Sequence, residues 1–372
     1  MRNGIRRELG RMALGIGGLA WLGGRRGVAL GAAAVGVSMH LAALEPGPSF
    51  RGQAAVVTGG SRGLGLAIAL ALAREGARVS LLARDATELA RARERILAKV
   101  PNASVYPFVC DVTDRDRAAR VIRDAAGAMG GIDLLVNNAG AILVGPLETM
   151  DREDYDALLD LHFHAVRECV NAALPFLRTS HHRRIVNVCS MGGKVAVPHL
   201  VPYDVSKFAL AGYSQGLYAE VAREGISVTT VFPTVMRTGS PIQAVFKGDH
   251  EREFAWFASG DLAPGLSLSA SVSARKILRA ARRRDTELVP SVAGRLRNLA
   301  AAFFPETMNS LLAAGAAFLP KGSSREARTG AESRAYFDRK PWFAPLRLAA
   351  RATERRWNQE ARSSAAFKLG RG

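Results

Sequence analysis

Short β-branched segments alternate with longer amphipathic segments from Gln53 to Pro290, and this alternation constrains the fold more than any other feature of the chain. It predicts a parallel sheet with right-handed helical crossovers, because parallel neighbours cannot be joined by a tight hairpin. We therefore predict an α/β fold of the Rossmann type, a doubly wound parallel sheet that binds its ligand at the carboxyl ends of the strands. The seven predicted strands cover residues 54–58, 78–83, 105–110, 133–137, 184–189, 226–232 and 287–290, and helices between them cover 64–75, 86–98, 115–128, 153–177 and 204–223.

We divide the chain into a predicted catalytic domain over residues 51–292 and a helical leader over residues 1–50. The leader begins with four arginines and carries apolar runs at 12–24 and 27–44, neither of which clearly reaches the roughly 20 residues that span a bilayer. Membrane association, packing or disorder, and cleavage as a signal all stay open for this segment. Two prolines and a glycine within residues 45–49 predict a linker before the first strand.

Residues 293–372 form a basic, helical C-terminal extension in our interpretation. Two apolar helical stretches, 292–304 and 307–319, flank Pro305 and carry Arg295 and Arg297. They are compatible with lying flat on a membrane interface, and equally with roofing a substrate pocket or packing on another subunit. Beyond Lys321 the sequence is polar, rich in arginine and without sustained periodicity, so we expect a loosely ordered end.

The net charge of +18 lies mainly in the two flanks, which carry +4 and +9 of it. A basic flank attracts nucleic acid or an anionic membrane surface equally well. No nucleic-acid-binding motif accompanies the charge, so we expect no nucleic-acid partner. Neither the histidines nor Cys110, Cys169 and Cys189 have metal-ligand or paired spacing, which predicts buried thiols and no metal site.

A glycine-rich motif, TGGSRGLG over residues 58–65, lies between the first predicted strand and the first core helix. Glycines at such a turn let the backbone bend sharply and let a pyrophosphate approach, where it meets unpaired N–H groups and the positive end of the helix dipole. The motif therefore predicts a dinucleotide site. Its members are Thr58, Gly59, Ser61, Arg62, Gly63, Leu64 and Gly65.

The second predicted strand ends at Ala83-Arg84, without the acidic residue that bonds the ribose 2′-hydroxyl in NAD-preferring sites. A guanidinium matches a phosphate in geometry and charge, so Arg84 and Arg62 favour NADP(H) over NAD. The alternative is that both arginines are solvated loop residues with no role in cofactor binding. After the third strand, Asp111 and its neighbour Val112 are placed to contact the adenine, or Asp111 caps the next helix.

Tyr203 and Lys207 stand four residues apart on a predicted helix, so their side chains share one face. A neighbouring ammonium favours the phenolate, so we expect Lys207 to lower the pKa of Tyr203 and make it a usable acid–base. Ser190, after the fifth strand, is placed to hydrogen-bond the same reacting oxygen.

Over roughly residues 53–290, the sequence resembles the short-chain dehydrogenase/reductase superfamily. The resemblance is carried by four features in this order: the glycine motif, an Asn-Asn-Ala-Gly run, Ser190 and the Tyr203/Lys207 pair. The resemblance implies that Lys207 also bonds the nicotinamide ribose, and that the segment from Pro233 through Val235 to Thr238 contacts the nicotinamide carboxamide. Thr234 stands where many members have glycine. His162 occupies the position of a catalytic asparagine, either as a proton relay or as a packing residue. The run that forms the floor of the cofactor site is Asn137, Asn138, Ala139 and Gly140.

Taken together, the residues predict an NADP(H)-dependent oxidoreductase that interconverts a hydroxyl and a carbonyl on a lipophilic small molecule such as a steroid, a retinoid or a long-chain ketone. A ketoacyl-carrier-protein reductase and an inactive NADP-binding scaffold or sensor are the alternatives. The resemblance implies a homo-oligomer, and the cofactor implies a cytoplasmic location or the cytoplasmic face of a membrane.

Overall fold

The computed structural model describes residues 3–22, 26–42, 49–262 and 267–359. Its centre is a seven-stranded parallel sheet in the order β7-β6-β5-β4-β1-β2-β3. The chain therefore winds outward in one direction from β1 to β3 and in the other from β4, which confirms the predicted Rossmann-type fold. The strands are β1 (Ala54–Thr58), β2 (Arg78–Ala83), β3 (Val105–Val109), β4 (Leu134–Asn137), β5 (Arg184–Val188), β6 (Ser227–Val231) and β7 (Glu287–Leu288).

Helices cover both faces of this sheet. Alternate residues of β1 point to opposite sides, so Ala54 and Val56 pack into one buried cluster and Ala55 and Val57 into the other. Burial on both faces explains why the strand is an unbroken apolar run. The helices are α1 (Asn3–Leu22), α2 (Arg26–Ala42), α3 (Gly63–Arg74), α4 (Ala86–Leu97), α5 (Arg115–Met129), α6 (Arg152–Leu159), α7 (Ala165–Thr179), α8 (Val201–Val221), α9 (His250–Leu262), α10 (Ala270–Arg283), α11 (Val292–Phe303), α12 (Pro305–Ala316), α13 (Gly330–Ser333), α14 (Ala335–Arg339) and α15 (Ala344–Arg356).

The long helix predicted over 153–177 is continuous in the structure but not α-helical throughout. A π-helical turn, Asp160–His164, joins α6 to α7. A capping box between Asp151 and Asp154 fixes the start of α6. π-Turns inside helices are frequent at functional sites, and this one carries His162 toward the interior, where it is 1% exposed.

The expectation of loose order beyond Lys321 is wrong for residues 321–359. Arg328–Thr329 pairs with Val245–Phe246, and α13 to α15 follow. Phe337 is buried and stacks on Phe343 at 4.8 Å between ring centroids. A few buried aromatic side chains thus order a segment whose sequence has no periodic apolar stripe. Arg334 and Asp338 form an ion pair at 2.8 Å in the same segment. Residues 360–372 lie outside the described part, and the boundaries at residues 50 and 292 stay predictions.

The two apolar helices of the extension break at Pro305 as predicted, and this proline begins α12. Ala301, Met308 and Leu312 face the core. The outer side of α11 is apolar and exposed, with Leu296 and Phe303 as examples. In the leader, α1 and α2 lie against each other. Of the helices described, none combines the length and the apolar character needed to span a bilayer.

We expect Phe50→Ala to lower the free energy of unfolding by about 3 to 5 kcal/mol, because it removes a large side chain from a packed site. Phe50 is fully buried, and the guanidinium carbons of Arg184 and Arg282 lie 5.5 and 5.2 Å from its ring centroid. Phe303→Ala is the matched control, since that ring is 72% exposed. Urea titrations with equal effects for the two variants would contradict this assignment.

Candidate active site

A crevice of about 880 Å³ opens at the carboxyl ends of the strands, where the strand order reverses between β1 and β4. Three of the predicted cofactor residues, Thr58, Gly65 and Asn137, lie behind its wall and support it. The other predicted site residues line it: Gly59, Ser61, Arg62, Gly63, Leu64, Arg84, Asp111, Val112, Asn138, Ala139, Gly140, His162, Ser190, Tyr203, Lys207, Pro233, Val235 and Thr238.

The glycine-rich turn packs too closely for larger residues at two positions. A Cβ on Gly65 would lie 2.1 Å from the Gly59 carbonyl oxygen, and one on Gly59 would lie 2.9 Å from Cα of Ala139. Gly59 and Gly63 both have positive φ, at 63° and 56°. The helix α3 begins at Gly63, so its amino terminus opens on the crevice. This cradle fits a dinucleotide pyrophosphate.

Two side chains join the ends of β1 and β4 behind this turn. Thr58 Oγ1 accepts the N–H groups of Asn138 and Ala139, at 2.9 and 3.0 Å. Asn138 Nδ2 donates to the carbonyls of Thr58 and Gly59, at 3.1 and 3.2 Å. The turn and the floor of the crevice are therefore one rigid unit.

Asn137 points away from the crevice, whereas Thr234 lines it and is fixed by contacts behind it. Asn137 Nδ2 donates to Asn187 Oδ1 at 2.9 Å, a buried bond between neighbouring central strands. Thr234 Oγ1 donates to Ser291 Oγ at 3.1 Å, and its methyl group packs on Gly294. The departure from glycine at position 234 thus ties the nicotinamide-side segment to the start of α11.

At one end of the crevice, Arg62 and Arg84 lie near each other. Burial lowers the pKa of Arg62, and the nearby positive charge of Arg84 lowers it further. Arg62 also pairs with Glu88 at 2.9 Å, and Ser61 Oγ donates to the same carboxylate at 3.0 Å. Glu88 is a site residue that the sequence reasoning missed, because it lies one helical turn beyond the strand end.

Arg84 lies 3.9 Å from the carboxylate of Asp111. Asp111 Oδ1 accepts the N–H and the hydroxyl of Thr113, at 3.0 and 2.8 Å. It does not cap the next helix, because Asp114 holds the cap position of α5.

Ser190, Tyr203 and Lys207 meet in the middle of the crevice. Lys207 Nζ lies 5.6 Å from the ring centroid of Tyr203 and donates to the carbonyl of Val188 at 3.4 Å. Ser190 begins the short 3₁₀ turn Met191–Gly193, where its Oγ accepts the N–H of Gly192 at 3.1 Å. Cys189 Sγ donates to the Lys207 carbonyl at 3.1 Å, which fixes α8 against the end of β5.

The expected lowering of the Tyr203 pKa is wrong for this structure. Burial raises the pKa of Tyr203, and the interaction with the Ser190 hydroxyl offsets only part of the rise. Burial also lowers the pKa of Lys207 to about 8. Desolvation disfavours the charged form of each group, and the nearby Cys189, Asp204 and Asp261 raise the pKa of Tyr203 further. The phenol is therefore in its acid form at neutral pH.

Both ring nitrogens of His162 are engaged. The N–H of Ala141 points at Nε2, 3.2 Å away, so Nε2 is the acceptor and Nδ1 carries the proton. Nδ1 then donates to Ser206 Oγ at 2.8 Å, and Ser206 donates to the carbonyl of Tyr203 at 2.7 Å. Burial and the charge of Lys207 hold the pKa of His162 well below its usual value. This geometry favours a neutral positioning residue over a proton relay.

The substrate side of the crevice has apolar walls, including Leu200, Trp256 and Phe257, together with two acids that the sequence analysis did not single out. Burial raises the pKa of Asp204 and of Asp261 to about 7. Asp204 Oδ2 accepts the N–H of Val197 at 2.7 Å. No sequence signal distinguishes these carboxylates from solvent-exposed ones.

The cysteines are free and buried, as predicted. Burial raises the pKa of the Cys110 thiol to about 11 and that of Cys169 to about 12. In the described ranges, no group of histidine, cysteine or acidic side chains is arranged to hold a metal ion.

Comparison with known proteins agrees with this geometry. The model of the short chain dehydrogenase family matches residues 53–245. SadH, a candidate oxidoreductase of Mycobacterium tuberculosis, is 30% identical over 276 residues, which cover 73% of this chain and 98% of that protein. Gluconate 5-dehydrogenase of Gluconobacter oxydans is 35% identical over 190 residues, covering 51% of this chain and 73% of the relative.

Among solved structures, a candidate short-chain alcohol dehydrogenase from Sinorhizobium meliloti superimposes with a TM-score of 0.59 at 30% identity, covering 67% of this chain and 99% of the other. The chain belongs to the short-chain dehydrogenase family. It is an oxidoreductase of this type, an enzyme acting on an alcohol or a ketone, and the family binds a nicotinamide cofactor.

We expect Asp204→Asn to stabilise the protein more at pH 8 than at pH 5. The folded-state pKa of Asp204, about 7, lies above the ordinary value of 3.8, so the native state loses stability relative to the unfolded state as pH rises between these values. An amide removes this loss and still accepts the Val197 N–H.

The measurement is the melting temperature at both pH values, with Asp156→Asn as the control, since the Asp156 side chain is 59% exposed. An equal or smaller gain at pH 8 for Asp204→Asn would show that this carboxyl is not neutral in the folded protein.

Proposed function

We propose that this protein is an NADP(H)-dependent oxidoreductase that interconverts a hydroxyl and a carbonyl on a lipophilic substrate such as a steroid, a retinoid or a long-chain ketone. One observation carries the proposal: Ser190, Tyr203 and Lys207 lie in one crevice, between the glycine-rich turn at one end and an apolar cavity at the other. Homo-oligomerisation and peripheral association with a membrane stay predictions.

The chemistry follows from the protonation states. The nicotinamide cofactor, when bound, supplies or accepts the hydride. Tyr203 is a neutral phenol in its buried site and donates its proton to the carbonyl oxygen as that oxygen gains negative charge. Ser190 donates a hydrogen bond to the same oxygen. The Lys207 ammonium favours the phenolate that forms, and oxidation of an alcohol uses these roles in reverse.

The preference for NADP(H) rests on the two guanidinium groups at the far end of the crevice. Arg84 lies close enough to Arg62 to lower its pKa, and a phosphate between two such cations relieves their repulsion. Glu88 neutralises part of the charge of Arg62. Arg84 lines the crevice directly after β2, where NAD-preferring sites carry the acid that bonds the ribose 2′-hydroxyl, so we place the discrimination on Arg84.

The lipophilic substrate class rests on the walls beyond Tyr203. Leu200, Trp256 and Phe257 are apolar, and the two acids among them are neutral over much of the acidic range because burial raises their pKa to about 7. The first turn of α11 closes the same cavity through Ala293 and Gly294. A long apolar molecule fits such a cavity better than a polyhydroxylated one.

We expect Tyr203→Phe to lower kcat by about 10²- to 10⁴-fold, the usual contribution of a general acid, while the Kd for NADPH changes little. Steady-state reduction of a panel of steroid, retinoid and long-chain ketones, with NADPH binding followed by fluorescence, measures both quantities. Tyr213→Phe is the matched control on the same helix, outside the crevice.

Retention of wild-type turnover by Tyr203→Phe would contradict the proton-transfer role. If wild-type protein binds NADPH tightly but reduces no ketone, the cofactor-binding scaffold becomes the better description.

We expect Arg84→Ala to weaken NADPH binding by about 10- to 100-fold, since a charge-assisted bond to a phosphate contributes about 1.5 to 3 kcal/mol, and to leave NADH binding within about threefold. Fluorescence titrations with both dinucleotides give the ratio. Arg93→Ala, an exposed arginine of α4 away from the crevice, should change neither. An equal loss for NADPH and NADH would remove the argument for NADP(H).

A further inference from the structure

The last described residues of the chain, 357–359, contact the glycine-rich turn from nearly 300 positions away in sequence. The N–H of Gly63 donates to the Trp357 carbonyl at 2.9 Å. Asn358 Nδ2 donates to the carbonyls of Ser61 and Glu88, at 2.8 and 3.1 Å. These residues lie beyond the segment, 53–245, that matches the family model, so the family pattern does not account for them.

This C-terminal segment is built into the wall of the crevice. Asn358 is fully buried, with a φ of 59° that asparagine tolerates better than most residues, and its Oδ1 accepts Nε of Arg91 at 3.2 Å. Trp357 is 5% exposed and packs in the apolar cluster that contains α3. Arg95 Nη1 donates to the Arg355 carbonyl at 2.6 Å, which fixes the last turn of α15. The buried contacts of Trp357 and Asn358 therefore fix the position of the next residue, Gln359.

Gln359 has hydrogen-bonding capacity that the protein does not use. Gln359 lines the crevice and is 4% exposed, and its Nε2 lies 3.0 Å from the position that a Cβ on Gly63 would take. Its Oε1 is buried and finds no hydrogen-bond partner among residues 3–22, 26–42, 49–262 and 267–359. A buried carbonyl without a donor is costly, so this oxygen suits a ligand that brings one.

The neighbours of Gln359 indicate which part of the ligand it would contact. It lies beside Gly63 of the glycine-rich turn, which suits the pyrophosphate, and Thr238, which the family resemblance assigns to the nicotinamide side, lies near the same glycine. A carboxamide satisfies two needs there, because its N–H donates to a phosphate oxygen while its carbonyl accepts from a ribose hydroxyl. Arg62 and Arg84 lie toward the other end, where the 2′-phosphate is expected. Gln359 therefore addresses the part that NADPH and NADH share.

We propose that residues 357–359 form a cofactor-binding element in which Gln359 hydrogen-bonds the ribose–pyrophosphate portion of the dinucleotide and Asn358 positions the glycine-rich turn beneath it. This inference rests on the proposed function in that it assumes a nicotinamide dinucleotide in the crevice. It adds a binding residue outside the family segment and a reason for the ordered C-terminal extension.

The test is the full-length protein with Gln359→Ala, titrated with NADPH and NADH by fluorescence. We expect both Kd values to rise by the same factor, about 5- to 30-fold, because the lost bonds go to a shared portion. Gln359→Glu should weaken both dinucleotides at least as much, since a carboxylate repels the pyrophosphate, and added salt should reduce this extra loss. Leu348→Ala, an exposed position on α15, is the control.

Two further measurements separate the possible outcomes. The melting temperature without cofactor tells a binding defect from misfolding, and NADPH should slow amide exchange at residues 357–359 in the wild type but much less in Gln359→Ala. Unchanged Kd values, tighter binding, or a loss confined to NADPH would each overturn the assignment. Those results leave the Tyr203 test intact, whereas a wild type that binds neither dinucleotide would defeat the proposed function itself.

Discussion

The connection between the ends of β1 and β4 is the constraint on which the rest of the site depends. These two strands are neighbours in the sheet, yet the chain leaves them in opposite directions, which opens the crevice. Thr58 and Asn138 close the gap beneath it with four hydrogen bonds, at 2.9 to 3.2 Å. The glycine-rich turn can then approach Ala139 closely, and α3 can direct its amino terminus at the pyrophosphate position. Loss of these four hydrogen bonds would displace both the glycine-rich turn and the floor of the crevice.

Desolvation sets the chemistry above this floor. Tyr203 and Lys207 are both buried, and burial shifts each pKa toward the neutral form. The result is a neutral phenol beside an amine with a pKa of about 8, an arrangement that holds a proton until negative charge develops nearby. His162 reinforces it without titrating, because its ring is locked between Ala141 and Ser206. Ser206 also donates a hydrogen bond to the Tyr203 carbonyl, so the His162 ring is tied to the part of α8 that carries Tyr203.

Much of this architecture is encoded locally and was predictable. The strands of the central sheet are apolar runs bounded by turns, and each of these seven strands lies within its predicted range. The glycine motif and the Tyr203/Lys207 pair could be found because each is defined by a few residues that are close in sequence. The pKa of Tyr203 was mispredicted because the sequence shows the neighbouring lysine but not the extent of burial, which depends on α8 packing against the end of β5.

Long-range contacts could not be predicted in the same way. Glu88 pairs with Arg62 across 26 positions, and Asn358 meets Ser61 across 297. A polar, arginine-rich C-terminal end gives no sign that three of its residues are buried against a glycine-rich turn. The π-helical turn at His162 is also invisible to helical periodicity, since it changes the register by a single residue within a continuous helix.

In the reaction we propose, burial keeps Tyr203 a neutral acid that protonates the carbonyl oxygen. A pH titration by NMR of protein labelled with ¹³C at the tyrosine Cζ tests it directly, because the chain has only six tyrosines and Tyr203→Phe assigns the signal. We predict that without cofactor the Tyr203 resonance stays in the phenol form through pH 10. A resonance that converts to the phenolate near pH 7 to 8 would show that the Lys207 ammonium outweighs burial, and that Tyr203 is not a neutral phenol in the free enzyme.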